Sequence, residues 1–387
     1  MRDAAEHHAK AALDGPDRGA ADDAAIVMAC QTLASIQEAR GESAAAARIL
    51  DRAYGRQSLF HQPAPGADLS LLVLLSRHAG NIPYAALAPS DLYDRWVWCM
   101  EHARPEQLDR TTACAVVLNA IGDADVAQAS EKTVEAILAK VDRPLLNQPA
   151  RVSATRRDRL AETLAGIADC IVPGTARLDA QSIGARGLAG AVAAAGFAAP
   201  VLLRPPATHG GAGLVLANTT AALEALSLGE RGDLYVSAFH DYRSPDGYFR
   251  KYRVIFVDRR AFPYHLAIGR RWMVHHQTSD MAEDPMRMAE ELHFLADPAG
   301  VLGPRAFAAV EAIGRRLDLD YAGVDFTVLD DGRVLVFEAN AAMLTHLEAE
   351  DGPFAAKNRF VQPIIDAFQA HLRELARRGA LPAGPAA

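Results

Sequence analysis

The stretch from Tyr321 to Asn340, Tyr-Ala-Gly-Val-Asp-Phe-Thr-Val-Leu-Asp-Asp-Gly-Arg-Val-Leu-Val-Phe-Glu-Ala-Asn, constrains the fold more than any other part of the chain. Two apolar, β-branched runs flank Asp331-Gly332, which predicts an antiparallel hairpin closed by a two-residue turn requiring positive φ. That turn pairs Asp330 with Arg333, Leu329 with Val334 and, further along the ladder, Asp325 with Glu338. Asn340 follows two residues on and points to the same face. Facing carboxylates about 5 Å apart repel each other. Val324, Phe326, Val328, Leu335 and Phe337 surround them, so the pair belongs in the interior or on the floor of a cleft, where solvent does not screen it. Two arrangements compensate the repulsion. One is a hard divalent cation held by these oxygens, the Asn340 amide oxygen and phosphate oxygens. The other is a local Arg on one carboxylate, with the other facing water.

An Asp followed by a short hairpin ending in Glu-x-Asn resembles the magnesium site of the ATP-grasp superfamily. Asp325, Glu338 and Asn340 match its three metal-bridging positions one by one. The resemblance implies ATP and Mg2+ as cofactors, and it predicts further elements upstream in a fixed order.

A chain of 387 residues, half of them apolar, suits two or three domains with substantial cores. A net charge of -8 argues against nucleic acid or an anionic membrane as the main partner. Cys30, Cys99, Cys114 and Cys170 are far apart and form neither a CxxC nor a metal spacing, which fits thiols in a reducing compartment. The N-terminus lacks the apolar core of a signal peptide, and no run approaches the ~20 apolar residues of a membrane span. A soluble, cytoplasmic protein is the expectation.

Residues 1–62 read as a helical appendage. Ile26, Cys30, Leu33 and Ile36 recur at helical spacing, Gly41 marks a stop, and Ser43 can cap a second helix carrying Ala46, Ile49, Leu50 and Ala53. The pattern resembles one tetratricopeptide repeat, a unit that normally needs neighbours to bury its faces. Packing on the body, or on a second copy in a homodimer, would supply them. Pro63-Ala-Pro-Gly66 marks a boundary.

Residues 66–150 read as a small doubly wound domain. Its expected elements are strands at Leu69–Leu75 and Cys114–Asn119, an aromatic-rich helix or loop over Ser90–Glu101, a helix at Glu131–Lys140 and a short strand at Pro144–Asn147. Asn81, Asn119 and Asp123 end strands and are candidate substrate contacts, though residues so placed also cap turns. Residues 151–376 then resemble the ATP-grasp domain itself, with a lid subdomain over about 175–240; residues 377–387 read as a disordered tail.

The phosphate-binding elements come next. Asn147-Gln-Pro is followed by Arg159, about where the family carries a phosphate-binding Lys. Val201-Leu-Leu-Arg204-Pro leads into His209-Gly210-Gly211-Ala-Gly213, which resembles the family's basic residue and glycine lid, with Arg204 standing where Lys is usual. Lysine occurs only at 10, 132, 140, 251 and 357, and guanidinium also pairs phosphate. Both exchanges are therefore compatible with ATP binding or with reduced catalysis. The strand Asp233–Phe239 matches the adenine-gripping hinge, which implies base contacts at Ser237 and Phe239, but it lacks the usual acidic ribose contact. A second hairpin, Arg250–Ile268, resembles the Arg-Val-x-Val-Val element and carries Arg253 for substrate or transferred phosphate. Lys251 lies on the same face. Arg270 and Arg271 follow as further candidate catalytic cations, while the adjacent His275 and His276 point to opposite faces of any strand and make a poor metal pair.

The co-linear order predicts an α/β chain with the α+β ATP-grasp fold, nearest in feel to glutathione-synthetase-like and ribosomal-protein-modifying ligases. The resemblance implies a carboxylate-amine ligase that forms an acyl phosphate on an amino acid, peptide or natural-product precursor, with an amine as nucleophile. Two other readings of the same residues are a kinase that phosphorylates without ligation and a non-catalytic nucleotide-binding module.

Overall fold

The computed structural model describes Val27, Cys30, Leu33, Ala34, Ile36, Gln37 and residues 42–226, 232–274, 279 and 281–380. Ile26, Gly41, His275, His276 and the tail from residue 381 lie outside the described residues. Among the described residues the strands form three sheets.

The first sheet contains β1 (Leu59–Gln62), β2 (Ser70–Leu75), β3 (Asp94–Cys99), β4 (Val116–Asn119) and β5 (Leu145–Leu146), in the order β1-β3-β2-β4-β5. β2 through β5 run parallel, and β1 closes one edge antiparallel to β3. An unbroken apolar run suits a strand covered on both sides. Leu72 and Leu74 of β2 pack with Leu59, Trp98 and Ile137, while Leu71 and Val73 pack on the opposite face with Ile364 and Phe368.

Three expectations are corrected here. Ser90–Glu101 is neither helix nor loop, because its centre is β3. The charge that obscured this strand, Arg95, is buried, with Nη1 donating to the Ala88 carbonyl at 2.7 Å and the guanidinium 5.4 Å from the Tyr84 ring centre. The helix expected from Glu131 begins at Ala124, because the Asp123 carboxylate caps it by accepting from the Asp125 and Val126 amides (2.8 and 3.0 Å). The first sheet also starts at Leu59, inside the segment assigned to the appendage.

The helix Ser43–Arg56 is not a free appendage. Ala53 and Tyr54, together with Val27 and Cys30, belong to the same buried cluster as Leu71, Val73, Ile364 and Phe368. The body of the same chain covers the apolar face, so the tetratricopeptide-like hairpin finds no second unit among the described residues.

The second sheet is antiparallel, in the order β7-β10-β8-β9, from β7 (Thr175–Leu178), β8 (Val201–Arg204), β9 (Val215–Ala217) and β10 (Leu234–Ala238). Alternation divides its faces. Val201, Leu203, Leu234 and Val236 pack under the helices Ala180–Ala194 and Thr220–Ala225, while Leu202, Arg204, Tyr235 and Ser237 face the other way.

The third sheet, in the order β12-β11-β13-β14-β6, holds β6 (Cys170–Ile171), β11 (Phe249–Val257), β12 (Arg260–Gly269), β13 (Tyr321–Val328) and β14 (Val334–Asn340). One face, with Val254, Phe256, Val324 and Phe326, is buried with Phe294 and Leu295 of the helix Pro285–Ala296 and with Val310 and Ile313 of Pro304–Leu317. The other face is divided. Ile255, Val257 and Tyr321 lie beneath the helix Asn358–Ala380, whereas Lys251, Arg253 and Asp325 lie at the open end. That helix runs through Arg377–Ala380, so the chain is still ordered where the tail was expected to begin.

The β13–β14 turn corrects the predicted ladder. Val328 pairs with Val334, and the Leu329 amide donates to the Arg333 carbonyl (2.9 Å), which leaves a three-residue loop with Gly332 at φ 83°. The ladder is therefore one residue out of the expected register near the turn. A bulge at Phe337 restores it, so Asp325 does lie opposite Glu338.

We predict that Tyr54→Ala, which removes a ring 5% exposed from the shared cluster, costs about 3 kcal/mol in urea unfolding. A change near zero would show that the N-terminal helix is not held on the body.

Candidate functional site

The second sheet, β7-β10-β8-β9, and the open end of the third sheet face each other across a cavity of about 200 Å³. Leu202, Arg204, Tyr235 and Ser237 line its lid side, and Lys251, Arg253, Asp325 and Glu338 form its floor. Phe239 and Trp272, edge to face with centroids 5.8 Å apart, belong to an otherwise apolar end with Val172 and Leu335. A smaller cleft continues past Glu338 to Asn340, Arg156, Arg157 and Asp123. A larger, shallow concavity of about 850 Å³ runs over Pro304–Leu317 among alanines and paired charges, and it shares no residue with the carboxylate pair.

Four cations resolve the repulsion between the facing carboxylates. Arg253 donates from Nε to Asp325 Oδ1 (2.6 Å) and from Nη2 to Oδ2 (2.8 Å), and Lys251 Nζ reaches Oδ2 at 3.0 Å. Arg157 bonds Glu338 Oε2, with Arg204 Nη1 at 3.8 Å from the same oxygen. Burial pushes both carboxyl groups upward. Arg253 and Lys251 outweigh it at Asp325, and Arg157 and Arg204 outweigh it at Glu338, so both are held below the ordinary carboxylate range. Burial, and then the neighbouring Arg157, bring Arg204 down to about 10, whereas Glu338 keeps Arg157 raised against burial. The two guanidiniums differ because only Arg157 bonds the carboxylate.

Four cations gather around these two carboxylates, with Asp123 and Asp125 also acting on Arg157 and Arg204, and the Arg204 Nε–H is buried with no acceptor among the described residues. Such a site suits an anion with several oxygens. Gly210 and Gly211, at φ 59° and 77°, line the lid edge in a conformation that other residues rarely adopt. The second sheet and the glycine loop contact the start of the helix Ala124–Leu138. Tyr235 donates to Asp125 Oδ1 (2.6 Å), Arg177 stands 3.5 Å from that oxygen, and His209 lies 3.4 Å from Asp123.

The structure thus brings Arg204, Gly210, Gly211, Ser237, Phe239, Arg253, Asp325 and Glu338 to one cavity, with Asn340 beside it. It does not bring the rest. Arg159 is exposed. The turns after the helix Pro149–Ser153 put buried Leu160 and, three residues before it, Arg157 inward, which turns Arg159 outward. Arg270 and Arg271 are also exposed. Arg270 bonds the Tyr248 hydroxyl (2.8 Å) and stacks on its ring, while Trp272, Met273 and Val274 reach the pocket instead. His209 belongs to the interdomain contact, and Gly213 packs where a Cβ would come within 2.9 Å of Pro205. Asn81 bonds the Ser76 backbone, Asn119 bonds the Asn147 carbonyl, and Asp123 caps its helix. Arg157 and Asp125 went unassigned in sequence, and Lys251 was placed on the correct face without a role.

As donors, Asp325, Glu338 and Asn340 are hard oxygens at one end of one hairpin, which is the chemistry a magnesium ion requires. Each is engaged by the protein itself, Asn340 Oδ1 by the Ala342 amide at 2.9 Å.

No family model matches the sequence, and no curated relative matches it. Among solved structures the chain is similar to the D-alanine–D-alanine ligase from Bacillus anthracis complexed with ATP: 12% identity over 79% of this chain and 98% of that one, TM-score 0.46. It is also similar to the ATP-grasp ligase PsnB complexed with a phosphomimetic variant of its minimal precursor, Mg and ADP, at 13% identity over 79% and 100% with TM-score 0.42. A third is the N5-carboxyaminoimidazole ribonucleotide synthetase from Thermotoga maritima, at 10% identity over 76% of each chain with TM-score 0.41. These are likenesses of overall shape, and the chemistry of the pocket rests on its own side chains. No helix among the described residues is long and apolar enough to cross a membrane.

Asp325→Asn, which strands Arg253 and Lys251 beside a neutral amide, is predicted to cost about 3–5 kcal/mol in denaturant unfolding. The depressed folded pKa means that Asp325 stabilises the fold above its unfolded value, near 4, and loses that contribution as pH falls through the folded value. The variant should therefore show a flatter acid limb than the wild type; parallel acid limbs would remove the clasp as a source of stability.

Proposed function

We propose that this chain is an ATP- and magnesium-dependent ligase of the ATP-grasp type that joins a carboxylate to an amine through an acyl phosphate. The observation that carries this reading is the set of four cations around two facing carboxylates, beneath a positive-φ glycine loop and beside an apolar slot. Phosphoryl transfer asks a protein for charge neutralisation and alignment more than for covalent chemistry. Arg157 and Arg204 are placed to take phosphate oxygens, and the slot by Ser237, Phe239 and Trp272 is placed to take the base. Asp325, Glu338 and Asn340 would hold magnesium, which would supply charge neutralisation at the transferred group.

A carboxylate resists attack because its charge is delocalised, and phosphorylation gives it a leaving group. A carboxylate oxygen attacks the γ-phosphorus and ADP departs. The amine then adds to the acyl carbon, inorganic phosphate leaves, and the nitrogen loses a proton. Arg253 uses two of its three nitrogens on Asp325, leaving the third for a substrate oxygen. The intermediate sits on the substrate, so no enzyme nucleophile is required. The substrate class this mechanism serves is an amino acid, peptide or natural-product precursor.

With the substrate carboxylate labelled in heavy oxygen, one label should appear in inorganic phosphate. Label in AMP, or none transferred, would refute the mechanism. Arg157→Ala should weaken ATP binding about tenfold or more, about 1.4 kcal/mol, while Arg159→Ala leaves it unchanged. Equal losses would return the phosphate role to Arg159.

A further inference from the structure

The helix Ser43–Arg56 lies beside the loop that follows β2, and one polar cluster joins the two. Asp51 Oδ2 takes Arg77 Nη1 at 3.1 Å and its Oδ1 lies 3.1 Å from His102 Nε2, while the Ala47 carbonyl, one turn earlier on the helix, accepts from the same Arg77 nitrogen at 3.4 Å. Arg77 belongs to the loop Ser76–Asn81, which is braced along its length. Glu101 accepts from the Ser76 hydroxyl (2.5 Å) and the Arg77 amide (3.2 Å), and the Asn81 side chain bonds the Ser76 amide and carbonyl at 2.9 and 2.8 Å. The far end of this loop meets the pocket. Gly80, at φ 97°, accepts from the Gly122 and Asp123 amides at 2.9 Å each, and a Cβ there would lie 2.6 Å from that of Asp123 and 3.2 Å from His209 Nε2. His209 opens the glycine loop. Gly122 in turn accepts at 3.2 Å from the amide of Ala341, the residue after Asn340.

We propose that Arg77 is a positioning residue, and that the helix Ser43–Arg56 acts through it to set the first-domain wall of the pocket. Hydrogen-bonded loops and close-packed glycines transmit displacement because they leave no gap to absorb it. Releasing Arg77 from Asp51 and Ala47 frees the start of the loop, and Gly80 passes that freedom to His209 on one side and to Gly122 and Ala341 on the other. The N-terminal helix therefore has a task besides burying apolar surface: it holds the glycine loop and the end of β14 in place. Asp51 is 46% exposed and Arg77 18%, so their pair adds little to global stability and its effect is local. Any consequence for nucleotide affinity rests on the nucleotide reading of the pocket, whereas the coupling of helix to glycine loop does not.

The test is amide hydrogen exchange by mass spectrometry on the full-length chain, read over residues 76–82 and 207–214, with urea unfolding alongside and ADP affinity measured by calorimetry in magnesium buffer. Asp51→Ala and Arg77→Met should each raise exchange about fivefold in both segments while the urea midpoint barely moves, and Asp51→Glu, which keeps the carboxylate, should stay at the wild-type rate. ADP affinity should fall about threefold in the first two variants. Either of them suffices if the other fails to fold. Faster exchange confined to the helix and residues 76–82, with 207–214 unchanged, overturns the inference, as does a rise in Asp51→Glu equal to that in Asp51→Ala. Faster exchange matched by a lower urea midpoint reports general destabilisation and also overturns it, as does unchanged ADP affinity beside a wild type that binds ADP. A wild type that binds no ADP refutes the nucleotide reading and leaves the exchange result to decide this inference on its own.

Discussion

Two negative charges on one face of a hairpin are a local liability that only long-range structure can relieve, and the architecture around Asp325 and Glu338 meets that demand. The compensating cations come from three separate places in the chain: Arg157 from the turns before Leu160, Arg204 from the end of β8, and Lys251 and Arg253 from β11. Each is anchored by apolar packing of its own element. Leu160 holds the turn, Leu203 holds β8 under the lid helices, and Val254 and Phe256 hold β11 against Pro304–Leu317. The charge cluster therefore exists only when the lid, the first domain's exit and the large sheet are all in place. It couples their folding as well as their chemistry.

Whether the pair shares a face at all depends on one inserted residue. With a three-residue turn and an unbroken ladder, Asp325 would lie opposite Phe337, and Glu338 would point into the apolar layer over Pro304–Leu317. The bulge shifts the strand back by one residue. It also turns Phe337 toward the pocket rim, where its ring lies 4.7 Å from that of Tyr242. The facing of Asp325 and Glu338 was legible in the sequence, although two departures from the simple ladder cancel to produce it. Turn residues report the local backbone but not the bulge, which is set by what Phe337 packs against.

Legibility follows range elsewhere too. The buried strand β2 and the strands β8 and β10 are statements about neighbours in sequence, and they could be read there. β3 could not, because Arg95 becomes compatible with a buried strand only when the Ala88 carbonyl and the Tyr84 ring receive it. Arg157 was hidden for the opposite reason. It stands in a cluster with Arg156 and Arg159, and only the burial of Leu160 selects which of the three points inward; Arg156 is taken by Asp158 (2.6 Å). Asn147 belongs to the same class. Its side chain bonds the backbone of Asp320 (2.8 Å) and of Tyr321 on both sides, which fixes the first domain to the strand bearing Asp325. No local pattern announces a partner more than 170 positions away.

The arginine at 204 shows what a guanidinium does in place of an ammonium. Its Nη2 donates to the Thr208 carbonyl and, at 3.2 Å, to the Thr208 hydroxyl, so the side chain is braced to the start of the glycine loop. Its Nη1 faces Glu338, and its Nε remains without an acceptor. A lysine directs its three N–H donors from a single nitrogen, whereas the planar fork sets separate nitrogens toward the loop, the carboxylate and an incoming anion. The brace ties the position of the glycine loop to the charge state of the pocket floor. An anion that engages Nε and Nη1 acts on the same rigid plane that holds Thr208, and so on the loop that lies against Asp123 and Asp125 of the first domain. Arginine at this position therefore links the carboxylate pair, the lid and the first domain through a single side chain.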